Sequence, residues 1–185
     1  MKLISNNEVY KKDGVVLTEK IFGSGSKKIT RVSLSLGKNT VLIIPLDKDQ
    51  NFYLGRQKRK SSNNFILEFP NGGIEKDENI LEAAKRELSE ELGLEGDMEY
   101  LGEFKPFDRV VDLTVSVFLC KNAKEQENYK KLPSDFYEKI ERKKFTKDEV
   151  YNLINEGGIK HSYFLSAFSL YNSKINRQWK QLLHP

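Results

Sequence analysis

Cysteine is nearly absent from this chain of 185 residues, and its single thiol, Cys120, lies inside the apolar run VSVFLC. No internal disulfide can form, which points to a reducing compartment, so a cytoplasmic location is expected. A buried strand cysteine is commoner than a nucleophilic one, and Cys120 is read as core. Long apolar runs are also missing. None approaches the roughly 20 residues of a membrane span, and the opening MKLISNNEVYKKDG has no continuous apolar segment. Neither a membrane partner nor a secretory signal is expected. An excess of either charge is also missing: the net charge is only +4 and the pI about 8.9. This suits an anionic substrate and a generic basic surface equally, and no module of interleaved aromatic and basic residues marks nucleic acid as a partner. The two histidines, His161 and His184, are read as non-catalytic. There is no internal repeat or low-complexity segment.

What remains is ordinary globular material, 38% hydrophobic and 31% charged, enough for one domain with a sizeable core. The chain centres on Gly72 to Leu94, GGIEKDENILEAAKRELSEELGL. A turn (Pro70 to Gly73) opens it and Gly93 closes it. Between them the pattern predicts a helix, with Asp77 or Asn79 as N-cap and Glu82 as capping-box partner of Asn79. Leu81, Ala84, Leu88 and Leu92 share one face at about 100° per residue. Glu87, Glu90 and Glu91 gather on its flank. Like charges at this spacing destabilise a helix by a few tenths of a kcal/mol per pair. A cluster of carboxylate oxygens suits Mg²⁺ or Mn²⁺, whereas on the glutamates alone a solvated acidic face is the commoner reading.

The whole stretch resembles the Nudix box, G-x5-E-x7-R-E-U-x-E-E-x-G-U with U aliphatic. Gly72, Glu78, Arg86, Glu87, Leu88, Glu90, Glu91, Gly93 and Leu94 fill every specified position. The resemblance implies an α/β protein, a Nudix α/β/α sandwich with a mixed sheet preceded by a small N-terminal β segment. Residues 1–38 would form that segment and a possible dimerisation element, 39–175 the hydrolase domain and 176–185 a tail. It further implies an enzyme that uses Mg²⁺ (or Mn²⁺) to hydrolyse a diphosphate linked to another group. Glu87, Glu90 and Glu91 would hold metal, with the backbone carbonyl of Asn71 completing the shell. Glu91 would also be catalytic, Arg86 would orient the carboxylates through Glu78, and Gly72, Glu78 and Gly93 would be structural.

The flanks resemble the ADP-ribose pyrophosphatase branch of the same family over roughly residues 40–170. Gln57-x-Arg59 is similar to that branch's QYR element, and Glu68-Phe-Pro-Asn-Gly72 to its E-[LF]-P-[AG]-G. Arg56 or Arg59 would meet a diphosphate through forked hydrogen bonds; a solvated basic turn is the plain alternative. Glu68 is either an acid of the ligand pocket or a partner for Arg86. A general base on the late loop is implied, with Glu125, Glu127, Asp135 and Glu138 as candidates and Glu138 preferred. Pro106 stands in Lys105-Pro-Phe-Asp108, without the glycine of the branch's marker context. The expected substrate is a nucleoside diphosphate sugar, ADP-ribose first, cleaved to AMP and ribose 5-phosphate. The alternatives are GDP-mannose, a nucleoside triphosphate, a dinucleotide polyphosphate, or a non-catalytic nucleotide- or RNA-binding module. The N-terminal segment implies a homodimer.

Local patterns predict the remaining elements. Val15–Ile21 follows an Asp13-Gly14 hairpin turn, Ile29–Leu36 alternates as a strand, and Thr40–Leu46 is a buried run. Phe52–Leu54, Phe65–Phe69, Met98–Phe104, Val110–Leu119 and Ile140–Phe145 read as strands, and 121–139 as a long polar loop. Thr146 and Glu149 form a second capping box before a helix that ends at Gly157-Gly158. His161–Tyr171 is an aromatic-rich helix, and 173–185 either extends it or frays.

Overall fold

The computed structural model describes residues 1–58, 64–127, 129 and 140–183, with side chains described up to residue 175. The first three strands, β1 (Lys2–Lys12), β2 (Val15–Ser24) and β3 (Lys27–Ser35), form an antiparallel meander. Asp13 and Gly14 make its first turn with both φ angles positive (50° and 81°), the backbone that such two-residue hairpin loops require.

The chain then enters the body through β4 (Thr40–Pro45), β5 (Phe52–Lys58), β6 (Phe65–Glu68) and β7 (Asn71–Gly73). Helix α1 (Ile80–Leu92) follows, then β8 (Leu94–Phe104), β9 (Val111–Asp112), β10 (Val115–Glu125) and β11 (Glu141–Phe145). Two helices close the fold, α2 (Lys147–Asn155) and α3 (Ser162–Leu183). The central sheet runs β7-β4-β10-β8, with β4 and β10 parallel and the outer pairs antiparallel, so it is mixed as expected. A smaller sheet, β11-β5-β6, lies beside it.

Strand β4 explains the layering. Val41 and Ile43 pack with Ala83, Ala84 and Leu88 of α1, whereas Leu42 and Ile44 pack with Phe164, Ala167 and Phe168 of α3. A strand buried on both faces is apolar at every position, which is why TVLIIP does not alternate. Each fully buried leucine or phenylalanine here stabilises by about 1.5–3 kcal/mol. Cys120 packs in the α1 layer, and burial pushes its thiol up to about 12. Among the described residues no helix is long and apolar enough to cross a membrane.

Several boundaries differ from expectation. Val110–Leu119 is not one strand: the chain breaks at the buried Leu113 and at Thr114. Val111 and Asp112 pair in parallel with β3, and Val115 begins a central strand. Asn39 Oδ1 accepts from the Thr114 backbone at 3.1 Å, pinning the crossing between sheets. β8 starts at Leu94 instead of Met98, directly after the helix cap. The polar run after Leu119 continues β10 as far as Glu125, because Lys121 lies opposite Asp97 and Lys124 opposite Glu95. Ion pairs from Lys121 to Glu99 and Lys124 to Glu95 make that exposed strand extension favourable, a pairing that hydropathy does not reveal. Helix α3 runs to Leu183 and takes up most of the expected tail.

Candidate active site

Helix α1 begins on Asn79, whose side chain accepts from Leu81 and Glu82 while Glu82 reaches back to the Asn79 N–H. This reciprocal cap contributes about 1 kcal/mol. Asp77 is not the cap; it adopts a left-handed turn conformation with φ 66°. Leu81 is 40% exposed rather than packed with Ala84, Leu88 and Leu92, because the first turn extends past the core. Gly93 ends the helix at φ 64°, where its N–H meets Ser89 O at 2.9 Å.

Glu87 lies beneath β7, on the side of the helix that faces the Pro70–Gly73 turn. A Cβ placed on Gly72 would overlap the Glu87 carboxylate, so only glycine leaves that group its space. Glu91 accepts from the Asn71 backbone N–H at 3.3 Å, which brings the turn and the last helical turn together. Burial raises the Glu91 carboxyl well above its ordinary value, and the charges of Glu87, Glu68 and Glu90 push it the same way. Burial likewise raises Glu87 and outweighs its 2.6 Å pair with Arg86.

Arg86 sits at the hub. Its Nε and Nη2 fork onto Glu78 at 2.8 and 3.0 Å, Nη2 also reaches Gly73 O at 2.9 Å, and Nη1 meets Glu87 and Glu90 at 2.6 and 3.2 Å. That fork holds Glu78 at about 2, well below the usual carboxylate range, and the Glu75 N–H adds to it. The expected pairing of Arg86 with Glu78 is present. Glu68 instead accepts from Gln57 Nε2 across the β5–β6 pair.

The donor set fits a divalent cation chemically: Glu87 and Glu91, whose protonation is favoured by burial and neighbouring carboxylates, gain most from a positive ion. As they stand, no three acidic, histidine or cysteine side chains among the described residues are gathered into a ready ligand shell. Glu87 and Glu90 are turned toward Arg86. A cation would be held by Glu87, Glu90 and Glu91 once the first two leave Arg86, which retains Glu78 and Gly73 O.

Arg56 lies on β5 with its guanidinium carbon 3.6 Å from the Phe65 ring centroid and Nη1 3.3 Å from Glu141. Arg59 and Glu138 lie outside the described residues, as does Asp135. Glu125 pairs with Arg142. Two features were not anticipated. One is a cavity of about 150 Å³ in which Glu68 and Asn71 face His161 and Tyr163 at the start of α3. The other is the set of side chains from Gln126, Tyr129 and Arg142 that meets the end of α1. Neither carries a local sequence signal, since both arise from contacts across 30 or more residues.

A family model for the NUDIX domain matches residues 37–167. The chain belongs to the Nudix family. The box on which that membership was expected is complete at every specified position. Among curated proteins, the methanol dehydrogenase activator of Bacillus methanolicus is 32% identical over 124 residues, covering 66% of this chain and 65% of that protein. The Nudix chain thus spans less than two thirds of that relative's length. Among solved structures, the crystal structure of an ADP compounds hydrolase superposes with a TM-score of 0.81 over 96% of both chains. At 18% identity it shares the fold.

Proposed function

We propose that this Nudix protein hydrolyses the diphosphate bond of a nucleoside diphosphate sugar with Mg²⁺, preferring ADP-ribose and releasing AMP and ribose 5-phosphate. The observation that carries this reading is the Arg86 hub, which ties Glu78, Glu87 and Glu90 to the Gly73 carbonyl while Glu91 meets the Asn71 N–H. When bound, a divalent cation supplies the positive charge that offsets the diphosphate and its developing negative charge. Arg86 remains on Glu78 and Gly73 O, orienting the carboxylates instead of contacting phosphate. Arg56 exchanges Glu141 for a substrate oxygen, and Glu138 is retained as the general base from the sequence.

ADP-ribose leads because the flanking motifs resemble that branch and because the similar fold is that of an ADP compounds hydrolase. We further propose a homodimer through the N-terminal meander, where Leu3, Ile4, Val9, Tyr10, Ile29 and Val32 are exposed. A sedimentation experiment at micromolar protein reads this directly, and a lone monomer peak would count against it.

The deciding assay measures AMP release, or phosphate after added phosphatase, from ADP-ribose, GDP-mannose, UDP-glucose, diadenosine polyphosphates and dNTPs, with Mg²⁺ and with EDTA. Metal-dependent turnover strongest on ADP-ribose supports both parts. Turnover strongest elsewhere keeps the diphosphate chemistry and removes the substrate. No turnover on any compound removes the enzyme reading in favour of a binding module.

A further inference from the structure

The last turn of α1 carries Glu90 and Glu91 at the negative end of the helix dipole, with no basic residue in that turn. Acidic groups there are unfavourable, and the final carbonyls lack partners within the helix. The end of the helix is therefore weak by itself, at the place where two of the three carboxylates must be held.

Three side chains from distant strands and loops compensate. Tyr129 donates its hydroxyl to Glu90 O at 3.0 Å, and its ring lies so close to Gly93 that a Cβ there would be 2.6 Å from Cδ1. Arg142 on β11 donates Nη1 to Leu92 O at 2.9 Å and brings the missing positive charge, itself paired with Glu125. Gln126 donates its backbone N–H to Gly93 O at 3.0 Å and accepts from Ser89 Oγ at 2.8 Å. Between these groups lies a cavity of about 240 Å³ that Glu91 also lines.

We propose that Tyr129, together with Arg142, is a positioning residue that holds the last turn of α1 and so fixes the backbone from which Glu90 and Glu91 reach a divalent cation. This rests on the reading of the α1 carboxylates as the metal site. Tyr129 and Arg142 act through the carbonyls of the residues they hold, Glu90 and Leu92. The hydroxyl is the part that matters, since the ring alone continues to cover Gly93.

The test is Mn²⁺ binding to the substrate-free full chain, read by the loss of the free-ion electron paramagnetic resonance signal, in wild type, Tyr129→Phe and Arg142→Gln. Thermal melts are run in parallel. Tyr129→Phe is expected to weaken Mn²⁺ binding by about three- to tenfold, the range that one lost hydrogen bond corresponds to, with little change in melting temperature. Arg142→Gln is expected to weaken it at least as much; should that variant not fold, Tyr129→Phe decides alone. Mn²⁺ affinity within twofold of wild type in the folded variants overturns the proposal, as does a lowered melting temperature with unchanged affinity. If wild type itself binds no Mn²⁺, the metal reading falls and this inference with it, a result distinct from wild-type binding that the variants share.

Discussion

Gly72 and Glu87 occupy complementary space: the carboxylate of Glu87 fills the volume in which any Cβ at position 72 would sit. Gly72 is not among the glycines with positive φ, so its role is steric and not conformational. Gly72→Ala meets only the far end of a flexible side chain, and the fold can accommodate it by moving that end. The expected result is a melting temperature within about 2–4 °C of wild type, equivalent to roughly 1 kcal/mol. Turnover should nevertheless fall by about a hundredfold, as for an ångström-scale displacement of a reacting or binding group. Calorimetry and steady-state kinetics on the same preparation test this; full activity in a folded Gly72→Ala protein would show that Glu87 need not stay where it is.

Glu91 should trade stability for function. Burial and three neighbouring carboxylates favour its protonated form in the folded, metal-free protein. Its contribution is therefore fully present below the unfolded value of 4.5 and is lost as pH rises through the higher folded value. In EDTA at pH 8, Glu91→Gln should melt above wild type, and the gap should close toward pH 4. Its hydrolytic rate with Mg²⁺ should drop by about a thousandfold. A melting point that falls at pH 8 would contradict the burial argument.

The Arg86–Glu78 fork should govern how easily the carboxylates become free. With Glu78→Gln, Arg86 loses its strongest partner and leans further onto Glu87 and Glu90, in competition with metal. The Mg²⁺ concentration for half-maximal activity is expected to rise by about tenfold, as when an outer partner of a metal ligand is removed. A titration of rate against Mg²⁺ at saturating substrate measures it, and an unshifted curve would mean that Arg86 does not restrain the carboxylates.

Acid stability should depend on the pair of Asp47 and Lys144. Asp47 is buried, which by itself would raise its carboxyl, but Lys144 at 2.5 Å and the donors of Asn51 and Asp49 overcome this and hold it at about 2. A depressed carboxyl contributes stability above its unfolded value of 3.8 that is lost as pH falls through about 2. Lys144 is half exposed, so solvent limits the pair to on the order of 1 kcal/mol. Lys144→Gln should raise the pH at which the protein unfolds in acid; circular dichroism against pH reads the midpoint, and an unchanged midpoint would assign Asp47 entirely to the backbone and side-chain donors of Asn51 and Asp49.

The box helix was legible to its cap, because Asn79, Glu82 and Gly93 act within a turn of themselves and their chemistry is local. The same holds for the Asp13-Gly14 hairpin and the Thr146–Glu149 cap. The buried run of β4 was legible because burial on both faces removes alternation altogether. By contrast, the break at Leu113–Thr114 and the extension of β10 to Glu125 depended on which strand lay alongside.

The sequence by itself determined the family, the helix that carries three carboxylates, and the Arg86–Glu78 partnership, since all of these sit within 23 residues. Only the tertiary structure decided what the carboxylates face. It placed Gly72 against Glu87, closed Asn71 onto Glu91, paired Gln57 with Glu68, and brought Tyr129 and Arg142 to the end of α1. The physical reason is reach: a helix sets the spacing of its own side chains, whereas the space and partners around them come from chain segments that only packing brings near.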